Sequence, residues 1–290
     1  MDSRHPSNVK EIRSWCKDRQ LPNRTGRLRF AQREILRAIG LHEIGRALVF
    51  KGGNALRIMH GNPRGTIDLD FTASASVPDL KDWIKDHVDS SLDQVPRARG
   101  IKMRVQSIER KPPRPDASFP TYLIRVGFCL EGDRGFELEY IEKGRIVNEV
   151  VEIEISLNDL VCVSELRFLD AGEEASIDTC TIDDIIAEKL RSLLQQLIRN
   201  RSRPQDVYDI AKQWRDHRMK LDTESIRECL LQKCKAREIV PVRSAFSDKV
   251  RDRAREDYER LRTDTAESFI EFDDAWRAVL SLVDQLRLTE

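Results

Sequence analysis

The stretch Val49-Phe50-Lys51-Gly52-Gly53-Asn54-Ala55-Leu56-Arg57, followed by Arg64-Gly65-Thr66-Ile67-Asp68-Leu69-Asp70-Phe71, limits the folds open to this chain more than any other. Ala47 to Phe50 is a short apolar run of the kind that buried strands use, and the glycine pair stops it. Asn54 to His60 reads as a short helix, Gly61-Asn62-Pro63 as a turn, and Thr66 to Phe71 as a second strand with alternating polar and apolar side chains. Residues two apart on a strand share a face, so Asp68 and Asp70 project together while Ile67, Leu69 and Phe71 point the other way. Neighbouring carboxylates repel, and solvent or a bridging cation relieves them. Hard oxygen ligands on one face suit Mg²⁺, which also binds substrate phosphates. The glycines lack Cβ atoms, so their backbone N–H groups can approach a phosphate at a helix N-terminus, whose dipole favours anions. Taken singly, a glycine pair is more often a plain turn and Asp-x-Asp a solvated sheet edge. In this order and spacing they point to a nucleoside triphosphate clamp with a metal.

Composition narrows the classes. The chain has 290 residues, enough for one large or two small domains with a substantial core. Formal net charge is zero although 34% of residues are charged, which argues against a uniformly basic nucleic-acid binder but leaves room for local basic patches. No run reaches the length of a membrane span, and Met1-Asp2-Ser3-Arg4-His5 lacks the apolar core of a signal peptide. The expected setting is therefore cytoplasmic, without a membrane. Cysteines stand at 16, 129, 162, 180, 229 and 234 with no Cys-x-x-Cys, so no zinc site is expected, and Cys129 and Cys162 read as small buried hydrophobes. Cys229 and Cys234, five apart on an expected helix, read as structural or incidental.

Residues 8–24 and Arg24 to Gly40 have helical spacing. The second helix carries Arg24, Arg27, Arg29, Arg33 and Arg37, a solvated face or a patch for RNA phosphates. Leu80 to Leu92 reads as a helix, then Ile101 to Ile108, Thr121 to Leu130, Gly135 to Ile141 and Ile146 to Ile155 as strands. The linker Arg110-Lys111-Pro112-Pro113-Arg114-Pro115 is strongly basic together with Arg97, Arg99, Lys102 and Arg104. Glu152 and Glu154 share a strand face, a pattern that Glu137 and Glu139 repeat nearby. From Thr181, a predicted N-cap, the chain turns helical. Lys189 falls within the apolar sector of Ile182, Ile185, Ile186, Leu190, Leu193 and Leu197, and a buried ammonium is costly unless it snorkels or meets an anion. In the following helix Val207, Ile210, Ala211 and Trp214 face the core, with Asp206 at the edge and Asp209 farther round. Thr223 to Arg237, Ser247 to Thr263 and Asp273 to Leu288 read as further helices.

The first stretch resembles the nucleotidyltransferase signature of the DNA polymerase β superfamily. More closely, it resembles the AbiEii-type toxin family, whose signature is near Lys-Gly-Gly-Thr-Ala-Leu followed by Arg-x-Ser-x-Asp-Leu-Asp. Asn54 and Thr66 replace the usual threonine and serine and keep hydrogen-bonding side chains. Ile186-Ala187-Glu188-Lys189-Leu190-Arg191-Ser192-Leu193, with Arg199 and Arg203-Pro204-Gln205-Asp206-Val207-Tyr208-Asp209-Ile210, resembles the family's second signature. Pro204-Gln205 intervenes where the family more often has arginine directly before the aspartate.

This resemblance implies an α/β (α+β) polymerase β-like mixed sheet with flanking helices over 1–175, and a helical domain over 176–290 that completes an active-site cleft. It implies Mg²⁺ on Asp68 and Asp70, nucleotide contacts from Lys51, Gly52, Gly53, Arg57 and Thr66, and Lys189 on the phosphates. Asp206 supports catalysis or orients Lys189, and Asp209 is structural. Glu154 is the matched third carboxylate, with Glu152 competing, and Arg57 and Arg64 either assist or are structural. The implied activity is that of a nucleotidyltransferase toxin of a toxin–antitoxin or abortive-infection system. Its partners would be an NTP, an RNA acceptor such as a tRNA 3′ end, and a cognate antitoxin. The alternatives are transfer to a protein or antibiotic hydroxyl, and a nucleotide-sensing or partner-binding module.

Overall fold

A computed structural model describes residues 5–170, 174–265 and 268–289; residues 1–4 of the N-terminal segment read above lie outside them. In chain order the elements are α1 (Ile12–Asp18), α2 (Asn23–Leu41), β1 (Leu48–Lys51), α3 (Gly52–His60), β2 (Asp68–Ala73), α4 (Lys81–Leu92), β3 (Ile101–Lys111) and β4 (Thr121–Leu130). There follow α5 (Arg134–Glu137), β5 (Val150–Ser156), β6 (Ser164–Phe168), β7 (Ser176–Cys180), α6 (Ile182–Gln195), α7 (Pro204–His217) and α8 (Thr223–Lys235). The last are α9 (Asp248–Arg255), α10 (Leu261–Thr265) and α11 (Phe272–Gln285). The strands form one seven-stranded sheet in the order β3-β4-β5-β2-β1-β7-β6. It is mixed, because β2 and β5 run parallel while β3/β4 and β4/β5 are antiparallel. The α/β class expected from the sequence is the class observed.

The chain divides into two compact units, one of residues 1–50, 67–159 and 166–178, the other of residues 51–66, 160–165 and 179–290. Residues 51–66 and 160–165 thus belong with the later helices although they precede residue 176. In the first unit the strands bury alternate residues, Leu69 and Phe71 on β2 and Val151, Ile153 and Ile155 on β5. α2 contributes Phe30, Ile35, Leu36 and Ile39 to the same core. Ile67, expected on the buried side of β2, precedes the strand and is exposed, its carbonyl accepting from Gln32 Nε2 at 2.8 Å.

Two expectations are corrected in this unit. The arginines of α2 are not a uniform surface face: Arg33 and Arg37 are buried and pair with Asp170 at 2.7 and 3.5 Å. Arg27 holds Asp133 at 2.7 Å and also Glu149. Charge on that helix thus serves internal pairing, with Glu34 one turn before Arg37 and with carboxylates far along the chain. Gly135 to Ile141 is α5 and turns rather than a strand, closed by bonds from Tyr140 N to Gly135 O and Arg145 N to Tyr140 O. Glu139 has φ +54°, so Glu137 and Glu139 do not share a strand face. In the basic linker residues 111–116 are exposed, while Arg110 before them is anchored, its Nη2 2.6 Å from Asp79 and Tyr122 Oη donating to the same carboxylate at 2.7 Å.

In the second unit, Ile186, Leu190 and Leu193 of α6 pack in one core with Val207, Ile210 and Trp214 of α7, Leu230 of α8, and Trp276, Val279 and Val283 of α11. Thr181 is the N-cap of α6, its hydroxyl accepting from Asp184 N at 3.3 Å. The charged run from Ser247 is not one helix: it breaks at Glu256 and Asp257, the latter with φ +61°. Among the described residues no helix is long and apolar enough to cross a membrane.

Candidate functional site

In the first unit, strand alternation forces the acidic row. Leu69 and Phe71 are fully buried, so Asp68 and Asp70 emerge half-buried on the opposite face of β2. The parallel neighbour β5 places Glu152 beside Asp68 and Glu154 beside Asp70 in register. Adjacent strands lie about 4.8 Å apart, so four carboxylates gather on one side of the sheet. Antiparallel β4 separates the two glutamates chemically. Arg125 pairs in register with Glu152, its Nε 2.9 Å from Oε1, whereas the register partner of Glu154 is the apolar Leu123. Glu152 therefore has a counter-charge from β4, while Glu154 faces Asp70 with no such compensation from its β4 partner.

The glycine pair lies in the second unit, and each glycine is required by the backbone. Gly52 has φ +74°, the left-handed region that favours glycine. A Cβ on Gly53 would come within 2.4 Å of Thr66 Cγ2 and 2.8 Å of Arg64 Nη2. α3 begins here with no side-chain cap from Lys51, leaving its first N–H groups to other acceptors. Asn54 is buried and donates to Thr66 O at 3.2 Å, while its Oδ1 accepts from Arg57 Nε at 2.8 Å. The asparagine thus holds both the far side of the signature and Arg57. α3 ends at Gly61 in the left-handed region, whose N–H returns to Leu56 O.

Lys189 does not snorkel. Its side chain is 9% exposed, and Nζ lies 2.7 Å from Asp206 and 2.9 Å from Asp209. Asp209 is wholly buried and also receives Arg64 Nη2 at 2.6 Å, Arg64 Nε at 2.9 Å and Asn62 Nδ2 at 2.9 Å. Burial alone would push the Asp209 carboxyl up, but the Arg64 guanidinium and Lys189 ammonium outweigh it and hold it well below the usual carboxylate range. Burial likewise works against charged Lys189, and Asp206 with Asp209 reverses it, raising its pKa. The buried ammonium therefore meets anions supplied by the chain itself. An ammonium has three donors, and Asp206 and Asp209 take two.

The structure thus groups Asp68, Asp70 and Glu154 in one unit. In the other it groups Gly52, Gly53, Arg57 and Thr66 around α3, and Lys189 with Asp206 in a buried ion cluster. Arg64 and Asn62 are the residues the sequence understated. Arg64 is the link between the glycine turn and α7, and its only sequence signal is its place before Gly65-Thr66. A second understated set joins Cys162, Asp184 and Cys229, one ligand atom of each lying within 4.8 Å of the others, although the cysteines are far apart in sequence. Two thiols make this set unsuited to Mg²⁺, so it is distinct from the acidic row.

A mixed sheet with a paired-acid strand, preceded by a strand, a Gly-Gly turn and a short helix, defines the class: a nucleotidyltransferase fold. The chain belongs to the AbiEii toxin family, for the family model described as "Nucleotidyl transferase AbiEii toxin, Type IV TA system" matches residues 34–281. The resemblance carried by the two signatures is borne out. Among solved structures the chain is similar to JHP933 from Helicobacter pylori, at 17% identity over 88% of each chain with a TM-score of 0.51. It is also similar to MenT4, a nucleotidyltransferase toxin from Mycobacterium tuberculosis, at 20% identity over 91% of this chain and 94% of that one, TM-score 0.49. At such identities the likeness to JHP933 shows the fold alone. A comparison with curated proteins finds no match.

Proposed function

We propose that the chain transfers a nucleotide from an NTP to an acceptor hydroxyl, with pyrophosphate leaving, and that the acceptor is an RNA 3′ end such as that of a tRNA. The observation that carries this reading is the register of Asp70 with Glu154, beside Asp68 on the same sheet face. Three carboxylate groups so placed fit Mg²⁺, with Asp68 and Asp70 as its ligands and Glu154 as the third carboxylate, and the ion would neutralise charge on the triphosphate. Glu154, without a cationic partner on β4, takes the proton of the attacking hydroxyl on a carboxylate oxygen. The N–H groups of Gly52 and Gly53 bind phosphate at the uncapped start of α3, with Lys51, Arg57 and Thr66 as further nucleotide contacts. Lys189, held by Asp206 and Asp209, gives its third donor to the phosphates as their charge grows. A toxin acting this way works in the cytoplasm, where NTPs and tRNA are found, and is opposed by a cognate antitoxin.

The test incubates purified protein with each labelled NTP, Mg²⁺, and total tRNA, protein lysate, an aminoglycoside or no acceptor, beside Asp70→Asn and Glu154→Gln. Label on tRNA that either substitution removes supports the proposal. Label on protein or drug moves the acceptor, and NTP binding without transfer replaces the enzyme with a sensor. Growth arrest on expression that Asp70→Asn relieves supports toxicity by transfer.

A further inference from the structure

We propose that Cys162, Asp184 and Cys229 form a binding site for a soft divalent cation, Zn²⁺ by donor chemistry, separate from the residues assigned to nucleotide transfer. Three segments of the second unit converge there: residues 160–165 bring Cys162, the first turn of α6 brings Asp184, and α8 brings Cys229. One ligand atom from each, two sulfurs and a carboxylate oxygen, lies within 4.8 Å of the other two. In a tetrahedral zinc site with Zn–S near 2.3 Å and Zn–O near 2.1 Å, donors stand roughly 3.5–3.8 Å apart. Closing the set therefore takes side-chain rotations on the order of an ångström.

The surroundings resemble a ligand shell already built. Asp184 is 1% exposed, and its Oδ2 is fixed by Cys162 N at 2.7 Å and Val163 N at 3.2 Å. Its Oδ1 lies 2.9 Å from Lys233 Nζ, which also donates to Leu160 O at 2.5 Å. Such partners orient a carboxylate ligand as outer-shell groups do in metal sites. The ammonium also settles the charge. Two thiolates and one carboxylate carry three negative charges, which a dication and the Lys233 ammonium cancel, so the occupied site buries no net charge. With neutral thiols the Asp184–Lys233 pair is balanced on its own, so the chain tolerates both states. Binding Zn²⁺ forms two Zn–S bonds and releases the two thiol protons to solvent. Cys162 is half-buried and gives the ion a way in, whereas Cys229 is 2% exposed. Gln232 Oε1 lies 3.9 Å from Cys162 Sγ, beside the remaining position, which a water would fill with the ion bound. The bound ion would staple residues 160–165 to α6 and α8.

The test uses the full-length, reduced protein and Co²⁺ as a spectroscopic probe. Expected are one equivalent bound, a thiolate-to-cobalt charge-transfer band with tetrahedral visible bands, and bleaching of both by one equivalent of Zn²⁺. Cys162→Ser and Cys229→Ser should each weaken the charge-transfer band and together abolish it, while Cys129→Ala, outside the cluster, leaves it unchanged. Absence of the band in the unsubstituted protein overturns the proposal without reference to how any variant folds. So does a band that survives the double substitution, or a Cys162–Cys229 disulfide formed in preference to metal binding when Zn²⁺ is present in excess.

Discussion

Asp209→Asn is the sharpest probe of the ion cluster in the second unit. Asp209 is wholly buried, with four contacts of 2.6–2.9 Å from Arg64, Lys189 and Asn62. The amide keeps the shape but removes the charge, and it turns an N–H₂ group toward cationic donors. Arg64 and Lys189, 8% and 7% exposed, then share a single carboxylate, Asp206. Removing one partner of a buried ion pair costs about 3–5 kcal/mol, a large part of the 5–15 kcal/mol that typically holds a domain folded. Asp206→Asn should cost less, about 1–3 kcal/mol, because Asp206 has one such contact, to Lys189. Urea unfolding at pH 7, followed by circular dichroism and by tryptophan fluorescence, measures both. The midpoint should fall much further for Asp209→Asn, with the slope unchanged. The double substitution Arg64→Met with Asp209→Leu should recover stability relative to Asp209→Asn, since it removes the stranded charge. If Asp209→Asn stays within about 1 kcal/mol of the unsubstituted chain, or Asp206→Asn is the costlier change, the cluster is not the keystone described.

Other changes have equally definite outcomes. Asp70→Asn should lower transfer at least about 100-fold in protein that still unfolds cooperatively, since metal stabilisation of developing charge is worth several kcal/mol. Glu154→Gln should lower transfer by about 10²–10⁴-fold, as for loss of a general base. Glu152→Gln, whose partner is Arg125, should leave most activity in the same assay. Gly53→Ala places a Cβ against Thr66 and Arg64 and should destabilise by about 1–3 kcal/mol in urea. Gly52→Ala, at φ +74°, should cost about 1–2 kcal/mol. The depressed carboxyl of Asp209 also fixes a pH dependence. Its stabilisation is fully present above the unfolded value near 3.9 and is lost as pH falls through the lower folded value. Stability should therefore drop below about pH 4 more steeply in the unsubstituted chain than in Asp209→Asn.

Much of the fold was legible because burial imposes simple periods. Thr121–Leu130 has the expected limits, Lys81–Leu92 starts one residue inside the expected range, and Thr181 caps the helix it was expected to cap. The shared face of Asp68 and Asp70, and that of Glu152 and Glu154, was legible because alternation on a strand fixes the face, whereas the Arg125 partner of Glu152 comes from β4 and carries no local signal. Ion-pair partners were not legible. Arg33 looks like a surface residue by spacing, yet Asp170 compensates it from far along the chain. Asp209 looked peripheral by helical angle, yet Arg64 makes it the centre of its cluster. Cys162 and Cys229 carry no spacing signal, since the return of residues 160–165 to the helical unit is what joins them.

The guanidinium of Arg64 lies where a Cβ on Gly53 would need to go, and Asp209 on α7 fixes that guanidinium. The two family signatures are therefore interlocked parts. A chimera whose exchanged α7 lacks the carboxylate of Asp209, with native residues 51–66 kept, would lose the partner that holds Arg64 against the glycine turn. Transplanting residues 51–66 and 182–217 together preserves it.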